Sequence, residues 1–260
     1  MTRLLLTNDD GIASPGLAAL AAALIKAGHD TKVVAPQQDR SGSSASLGRV
    51  APENRLAVEP VEIEYGTDCI NAYTMDAPPG LIAMAAALGA FGEPPEVVVS
   101  GINLGPNTGH SILHSGTVGA VLTGQNFGTS GLAVSLAEGD RWWTETACTL
   151  ALDVLAWLAD APKRTALNLN VPALPAEDLR DLQWATLDEF GSVRAAVESV
   201  EGGLQFEFRA TGADLDPDSD TALLAAGHPT VTALAGLQMV PPGESVHRPP
   251  ISARLTPTHG

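Results

Sequence analysis

Short apolar runs alternate along the first half of the chain with segments whose apolar residues recur at helical spacing. Residues 3–8 (RLLLTN) run apolar into turn residues and predict a buried strand. Ser14-Pro15-Gly16 then opens a helix, with Ser14 placed to cap it and Pro15 at the first helical position. Leu17, Leu20, Leu24 and Ile25 keep helical spacing, and Gly28 ends the segment. Val33-Val34-Ala35-Pro36 reads as a second buried strand. Strand, helix and strand in so short a stretch form a βαβ unit, whose two strands run parallel.

The alternation continues downstream. A polar loop (QQDRSGSSASLG) follows the second strand, residues 56–75 read as less regular strands, and 79–88 as a helix. EVVVS at 96–100 is another buried strand that empties into a Gly/Asn/Ser loop. A helix is expected at about 115–127, a strand at 132–136, a helix at about 143–158 and a strand in TALNLNV. From about residue 173 the pattern weakens, with candidate strands at 182–187, 204–210 and 230–237. The acidic stretch DLDPDSD (214–220) is expected to be an exposed loop, and the last twenty residues, rich in Pro and His, a loose tail. With no internal repeat and no long linker, the chain reads as one α/β domain over 1–260. Its core, 1–137, carries the candidate site, and 138–260 adds a helix and an irregular extension.

Composition narrows the function. Hydrophobic residues make up 45% of the 260 and charged residues 17%, which describes a globular chain. Aromatics are scarce at 4%, so the core is expected to be mostly Ala, Val and Leu. No apolar run approaches the ~20 residues of a membrane span, and the N-terminus is too short for a signal peptide. Cys69 and Cys148 match no metal or redox spacing. These features predict a cytoplasmic protein without a membrane partner. The net charge of −16 repels nucleic-acid phosphates, so no nucleic-acid partner is expected. It repels a small phosphorylated substrate as well, unless a bound divalent cation inverts the local field.

Three strand ends, after residues 8, 36 and 100, share one edge of a parallel sheet, so their loops converge. The first brings Asp9 and Asp10, the second Arg40, Ser41 and Ser43, and the third Asn103, Asn107, Ser115 and Thr117. Carboxylates with Asn and Ser oxygens form a hard-oxygen set suited to Mg²⁺, Mn²⁺ or Ca²⁺. Each piece also has a plainer reading. Asp-Asp-Gly after a strand is often a solvated turn, and HSGTV can cap a helix through Ser115 or Thr117. Such a helix start still suits an anion. His110 reads as a surface residue, and Glu145, Asp153 and the acidic run 214–220 as solvent-facing charges. The turn after the first strand lacks the G-x-G-x-x-G of dinucleotide folds, and the chain has neither a G-x-x-x-x-G-K-[ST] loop nor a G-x-S-x-G elbow.

Taken together, TNDDGI (7–12), APQQDRSG (35–42), SGINLGPNTG (100–109), LHSGTVGA (113–120) and LNLNVP (167–172) resemble the signature blocks of the SurE family, the stationary-phase survival nucleotidases. The likeness is strong from residue 3 to about 137 and thins afterwards. It implies a Rossmann-like three-layer α/β sandwich with a mostly parallel sheet and a C-terminal oligomerisation extension. It places one divalent metal ion, Mg²⁺ or Mn²⁺, on Asp9, Asp10, Ser41 and Asn103. It implies metal-dependent removal of phosphate from nucleoside 5′- and 3′-monophosphates, in a homodimer or homotetramer whose C-terminal elements exchange between subunits. Two departures stand out: Asp76-Ala77-Pro78-Pro79-Gly80-Leu81-Ile82 lacks the family's usual Thr, Asp and Cys, and Ala45 replaces a frequent His. Both lie outside the ligand positions.

These residues allow attack by a metal-activated water that Asp9 orients or deprotonates. Phosphate oxygens are expected on the N–H groups of Ser115, Gly116 and Thr117, with Asn107 adding a bond and His114 either protonating the leaving oxygen or serving a structural role. Two other readings stay open: a phosphate- or nucleotide-binding protein with little turnover, and a phosphatase for a non-nucleotide ester. Leu204, Phe206, Phe208 and the run 231–237 are expected to need a partner subunit.

Overall fold

In the computed structural model, which describes residues 1–48, 50, 55–189, 193–210 and 215–238, the first apolar run becomes β1 (Arg3–Thr7), with Leu4, Leu5 and Leu6 fully buried. Pro15 starts α1 (Pro15–Lys26), which lays Leu17, Leu20 and Leu24 onto the sheet, whereas Ile25 faces outward. Ser14 stands at the N-cap, but its hydroxyl makes no capping bond. The chain returns through β2 (Asp30–Pro36), parallel to β1, completing the βαβ unit.

Residues 58–75 are more regular than their sequence suggests. β3 (Val58–Tyr65) and β4 (Asp68–Met75) pair antiparallel along their full lengths, and Gly66 (φ +61°) starts the two-residue turn. Ile63, Ile70 and Ala72 share the buried face, while Glu62 and Glu64 lie on the other, and the exposed Glu59 breaks the apolar alternation at the start of β3. α2 (Pro79–Ala87) follows, then β5 (Val97–Leu104), α3 (Gly116–Asn126), β6 (Ser130–Leu136), α4 (Thr144–Asp160) and β7 (Ala166–Val171).

The strands form one nine-stranded sheet in the order β3-β4-β2-β1-β5-β6-β7-β11-β8. From β4 to β7 every pairing is parallel. α1 and α4 pack together on one face, α2 and α3 on the other, so the fold is a mostly parallel three-layer α/β sandwich. Leu6, Val99, Val134 and Leu169 belong to the cluster under α1 and α4, and Leu5 and Val98 to the one under α2. Each such buried side chain stabilises the fold by about 1.5–3 kcal/mol relative to exposure.

The C-terminal third departs further from expectation. β8 covers only Gln183–Trp184, and β11 (Thr230–Leu234) inserts between β7 and β8, burying Val231 within the sheet rather than presenting it to a partner. β9 (Val193–Val200), absent from the sequence reading, pairs with β10 (Gly203–Ala210) in a separate antiparallel ribbon. The described part of the acidic stretch ends in a short helix, α5 (Asp220–Ala225), capped by the Ser219 hydroxyl. Asp220 is fully buried there, not a surface charge; Glu145 and Asp153 are exposed as expected. The expected tail, the last twenty residues, lies outside the described residues. No helix among the described residues is long and apolar enough to cross a membrane.

Candidate active site

β2 and β5 flank β1 on opposite sides, so the carboxyl ends of these three strands open at the point where the strand order reverses. Open α/β sheets bind ligands in this crevice. Asp9 and Asp10 lie directly past the end of β1. Gly11 then takes a left-handed conformation (φ +95°) that lets the chain turn at once. Asn8 Nδ2 donates to the Gly11 carbonyl at 3.0 Å, and the Ile12 N–H donates to Pro36 O at 2.8 Å, which pins this turn to the end of β2.

Asp9 is buried and held from the start of α3. The Thr117 hydroxyl donates to its Oδ1, and the Gly116 N–H to its Oδ2 at 3.1 Å. The carboxylate therefore lies where a helix N-terminus favours an anion. Burial pushes the Asp9 carboxyl above its ordinary range, opposed by these hydrogen bonds. The approach needs glycine: a Cβ on Gly116 would sit 2.6 Å from Ser43 Oγ and 2.7 Å from Asp9 Oδ2. Arg40 joins the second loop to the first by donating its N–H to Asp9 O at 2.7 Å, and its guanidinium pairs with Asp76.

Asp10 carries the chemical tension of the site. Burial, then the charges of Asp9 and Asp39, push its carboxyl up to about 6. Its Oδ2 is buried without a hydrogen-bond partner, as are Asn8 Oδ1 and Ser43 Oγ. An orphaned carboxylate oxygen beside a second carboxylate, among neutral oxygens, suits a hard divalent cation. Among the described residues no three His, Cys, Asp or Glu side chains form a metal-holding group, so a cation at Asp9 and Asp10 would complete its shell with neutral oxygens.

The structure distributes the other expected residues unevenly. Ser41 is exposed, and its hydroxyl and N–H both donate to Asp39 Oδ1 (2.6 and 2.7 Å), which holds that carboxyl below its ordinary range. Asn103 is not in a loop; it lies in β5, past a register shift against β6, with Nδ2 donating to Gly105 O at 2.7 Å. Residues 109–114 form a 3-10 turn, and His110 and His114 are both exposed on it.

The expected phosphate cradle at Ser115, Gly116 and Thr117 is not free. The Ser115 N–H bonds to Ile112 O at 3.0 Å, and its hydroxyl caps α3 by accepting from Val118 N–H at 3.2 Å. Gly116 and Thr117 serve Asp9. The carboxylate supplies the anion that the sequence reading assigned to a ligand.

Asn107 is held by a network that the sequence reading did not assign. Its N–H donates to Asn170 Oδ1, its carbonyl accepts from Asn168 Nδ2 and Asn170 Nδ2, and its own Nδ2 donates to Ser135 Oγ, all at 2.8 Å. Asn168 and Asn170 are fully buried on β7. The signal was present in LNLNVP, where two polar residues interrupt an otherwise apolar buried strand. Ser43, which the sequence places in the converging second loop but not among the metal ligands, joins the site through the close approach to Gly116.

The family model described as survival protein SurE matches residues 4–192. The chain is 36% identical over 249 residues to a 5′/3′-nucleotidase SurE of Cronobacter sakazakii, covering 89% of each chain. It is 34% identical over 238 residues to a 5′-nucleotidase SurE of Legionella pneumophila, covering 89% of this chain and 90% of that one. The crystal structure of a SurE protein from Aquifex aeolicus superposes with a TM-score of 0.72 at 27% identity, covering 89% of this chain and 92% of the other.

Proposed function

The chain belongs to the SurE family, and on that premise we propose that it is a 5′-nucleotidase, a metal-dependent phosphomonoesterase acting on nucleoside 5′- and 3′-monophosphates. The names of its relatives support the reaction. The observation that carries it is Asp10 Oδ2, buried without a partner beside Asp9 at the sheet's switch point. Asp9, Asp10, Ser41 and Asn103 would hold one divalent cation, Mg²⁺ or Mn²⁺. Bound there, it would supply positive charge that polarises a phosphoryl oxygen and lowers the pKa of water.

The protein groups do the rest. Asp9, fixed by Thr117 and Gly116, orients or deprotonates the water that attacks phosphorus. Asn107 donates its second Nδ2 hydrogen to a phosphoryl oxygen. As the P–O ester bond breaks, His114 gives a proton to the departing nucleoside oxygen. Leu204 and Phe206 stand exposed on one face of the β9–β10 ribbon, and we assign that face to contact with another subunit in a homodimer or homotetramer.

A panel of phosphomonoesters assayed for phosphate release, with Mg²⁺, with Mn²⁺ and with chelator, tests the proposal. Metal-dependent release from nucleoside monophosphates is expected. Release only from non-nucleotide esters, or from none of the panel, contradicts it.

A further inference from the structure

We propose that Asp220 is a positioning residue for the loop that carries Asn107 and His114, clamping it from the C-terminal extension. This rests on the reading that Asn107 and His114 serve the phosphate ester. Asp220 begins α5, more than a hundred residues beyond that loop, and is fully buried. Its carboxylate accepts the Gly109 N–H at both oxygens (Oδ1 3.1 Å, Oδ2 2.9 Å), the Asp188 N–H at 3.1 Å, and its neighbour Thr221's N–H at 2.8 Å. Gly109 lies two residues past Asn107 and starts the 3-10 turn that ends at His114. One buried carboxylate thus fixes where this turn begins.

The clamp is itself anchored. The Asp220 N–H donates to Thr186 O at 2.8 Å, and Thr186 N–H donates to Asp218 O at 3.1 Å. The His110 N–H donates to Asp188 O at 3.0 Å, so two consecutive amides of the turn are held by the C-terminal extension. β6 and β7 hold the other side of the loop through Ser135, Asn168 and Asn170. Residues 107–110 are therefore gripped from the core and the extension at once. Burial raises the Asp220 carboxyl, while the N–H donors favour its charged form. A carboxylate accepts from all these donors, and an amide in its place turns a donor toward one of them. Asp220→Asn should loosen the turn without touching the carboxylates at β1.

The test combines backbone hydrogen exchange with steady-state kinetics on the full chain. In the wild type the Gly109 amide should be strongly protected. In Asp220→Asn, exchange across 105–114 should rise, and KM for a nucleoside 5′-monophosphate should increase about tenfold with a smaller change in kcat. Ser219→Ala removes the cap of α5 but not the Gly109 contact. It should lower Tm while leaving exchange at 105–114 and KM at wild-type values. Rapid exchange of Gly109 in the wild type overturns the proposal without any variant being needed. An Asp220→Asn protein that matches Ser219→Ala in both readouts overturns it equally. An inactive wild type would remove the functional reading, while exchange would still decide the clamp.

Discussion

The Thr117 hydroxyl donates to the carboxylate of Asp9, 108 residues away in sequence. This bond, with the one from Gly116, fixes the orientation of a buried carboxylate whose charge burial opposes. Thr117→Val keeps the shape and removes the donor. It should cost about 1–3 kcal/mol of stability by leaving a buried acceptor short of its partner. It should also lower kcat about tenfold with little effect on KM, whereas Thr117→Ser should restore much of the loss. Thermal denaturation and initial-rate kinetics check both.

Asp10 makes metal binding depend on pH. A carboxyl raised in the folded state stabilises the metal-free fold fully below its unfolded value, near 3.8, and that contribution is lost as pH rises through about 6. A cation needs the ionised form and competes with the proton, so its effect runs the other way. The rise in Tm on adding Mn²⁺ should be small near pH 5 and grow through about pH 7. A rise that is the same across this range would place the cation elsewhere.

Asn170→Ala removes both the acceptor of the Asn107 N–H and one donor to its carbonyl. The main-chain groups of Asn107 left unpaired should cost about 1–3 kcal/mol, and KM should rise with little change in the Mn²⁺-induced thermal shift. Calorimetry and kinetics separate these effects. A loss of metal response with normal KM would count against a role for Asn107 at the substrate.

Phe206 and Leu204 are 59% and 61% exposed on the β9–β10 ribbon. A two-stranded ribbon is marginal alone. Leu204→Glu together with Phe206→Glu should move the protein toward monomer in multi-angle light scattering. A wild type that is already monomeric at micromolar concentration removes the assembly.

The half of the fold that reads clearly is the half whose strands are buried on both faces. β1, β2, β5, β6 and β7 each carry a buried apolar stretch, and the βαβ order makes them parallel, so the converging loops followed directly. β3 and β4 were less clear because one side of the hairpin faces solvent and carries glutamates. α5 was invisible because six residues give no period, and Asp220 in an acidic run resembles a surface charge until Gly109 is seen against it. The carboxylate pair was legible from DDG at the end of an apolar strand. What orients it was not, because Gly116 and Thr117 are distant in sequence and look like an anion cradle. Sequence shows a helix N-terminus; only the fold shows that the anion is already Asp9.

The proposed chemistry requires Asp9 and Asp10 to share a cation. Differential scanning calorimetry of the wild type and Asp9→Asn, each with and without Mn²⁺ near neutral pH, tests it most directly. The wild type should gain about 2.7 kcal/mol of stability at a hundredfold excess over its dissociation constant. Asp9→Asn should lose that gain, while its metal-free form stays at least as stable as the wild type, because a buried like-charge pair has been relieved. Equal metal-induced shifts in the two proteins, or none in the wild type, would contradict the account.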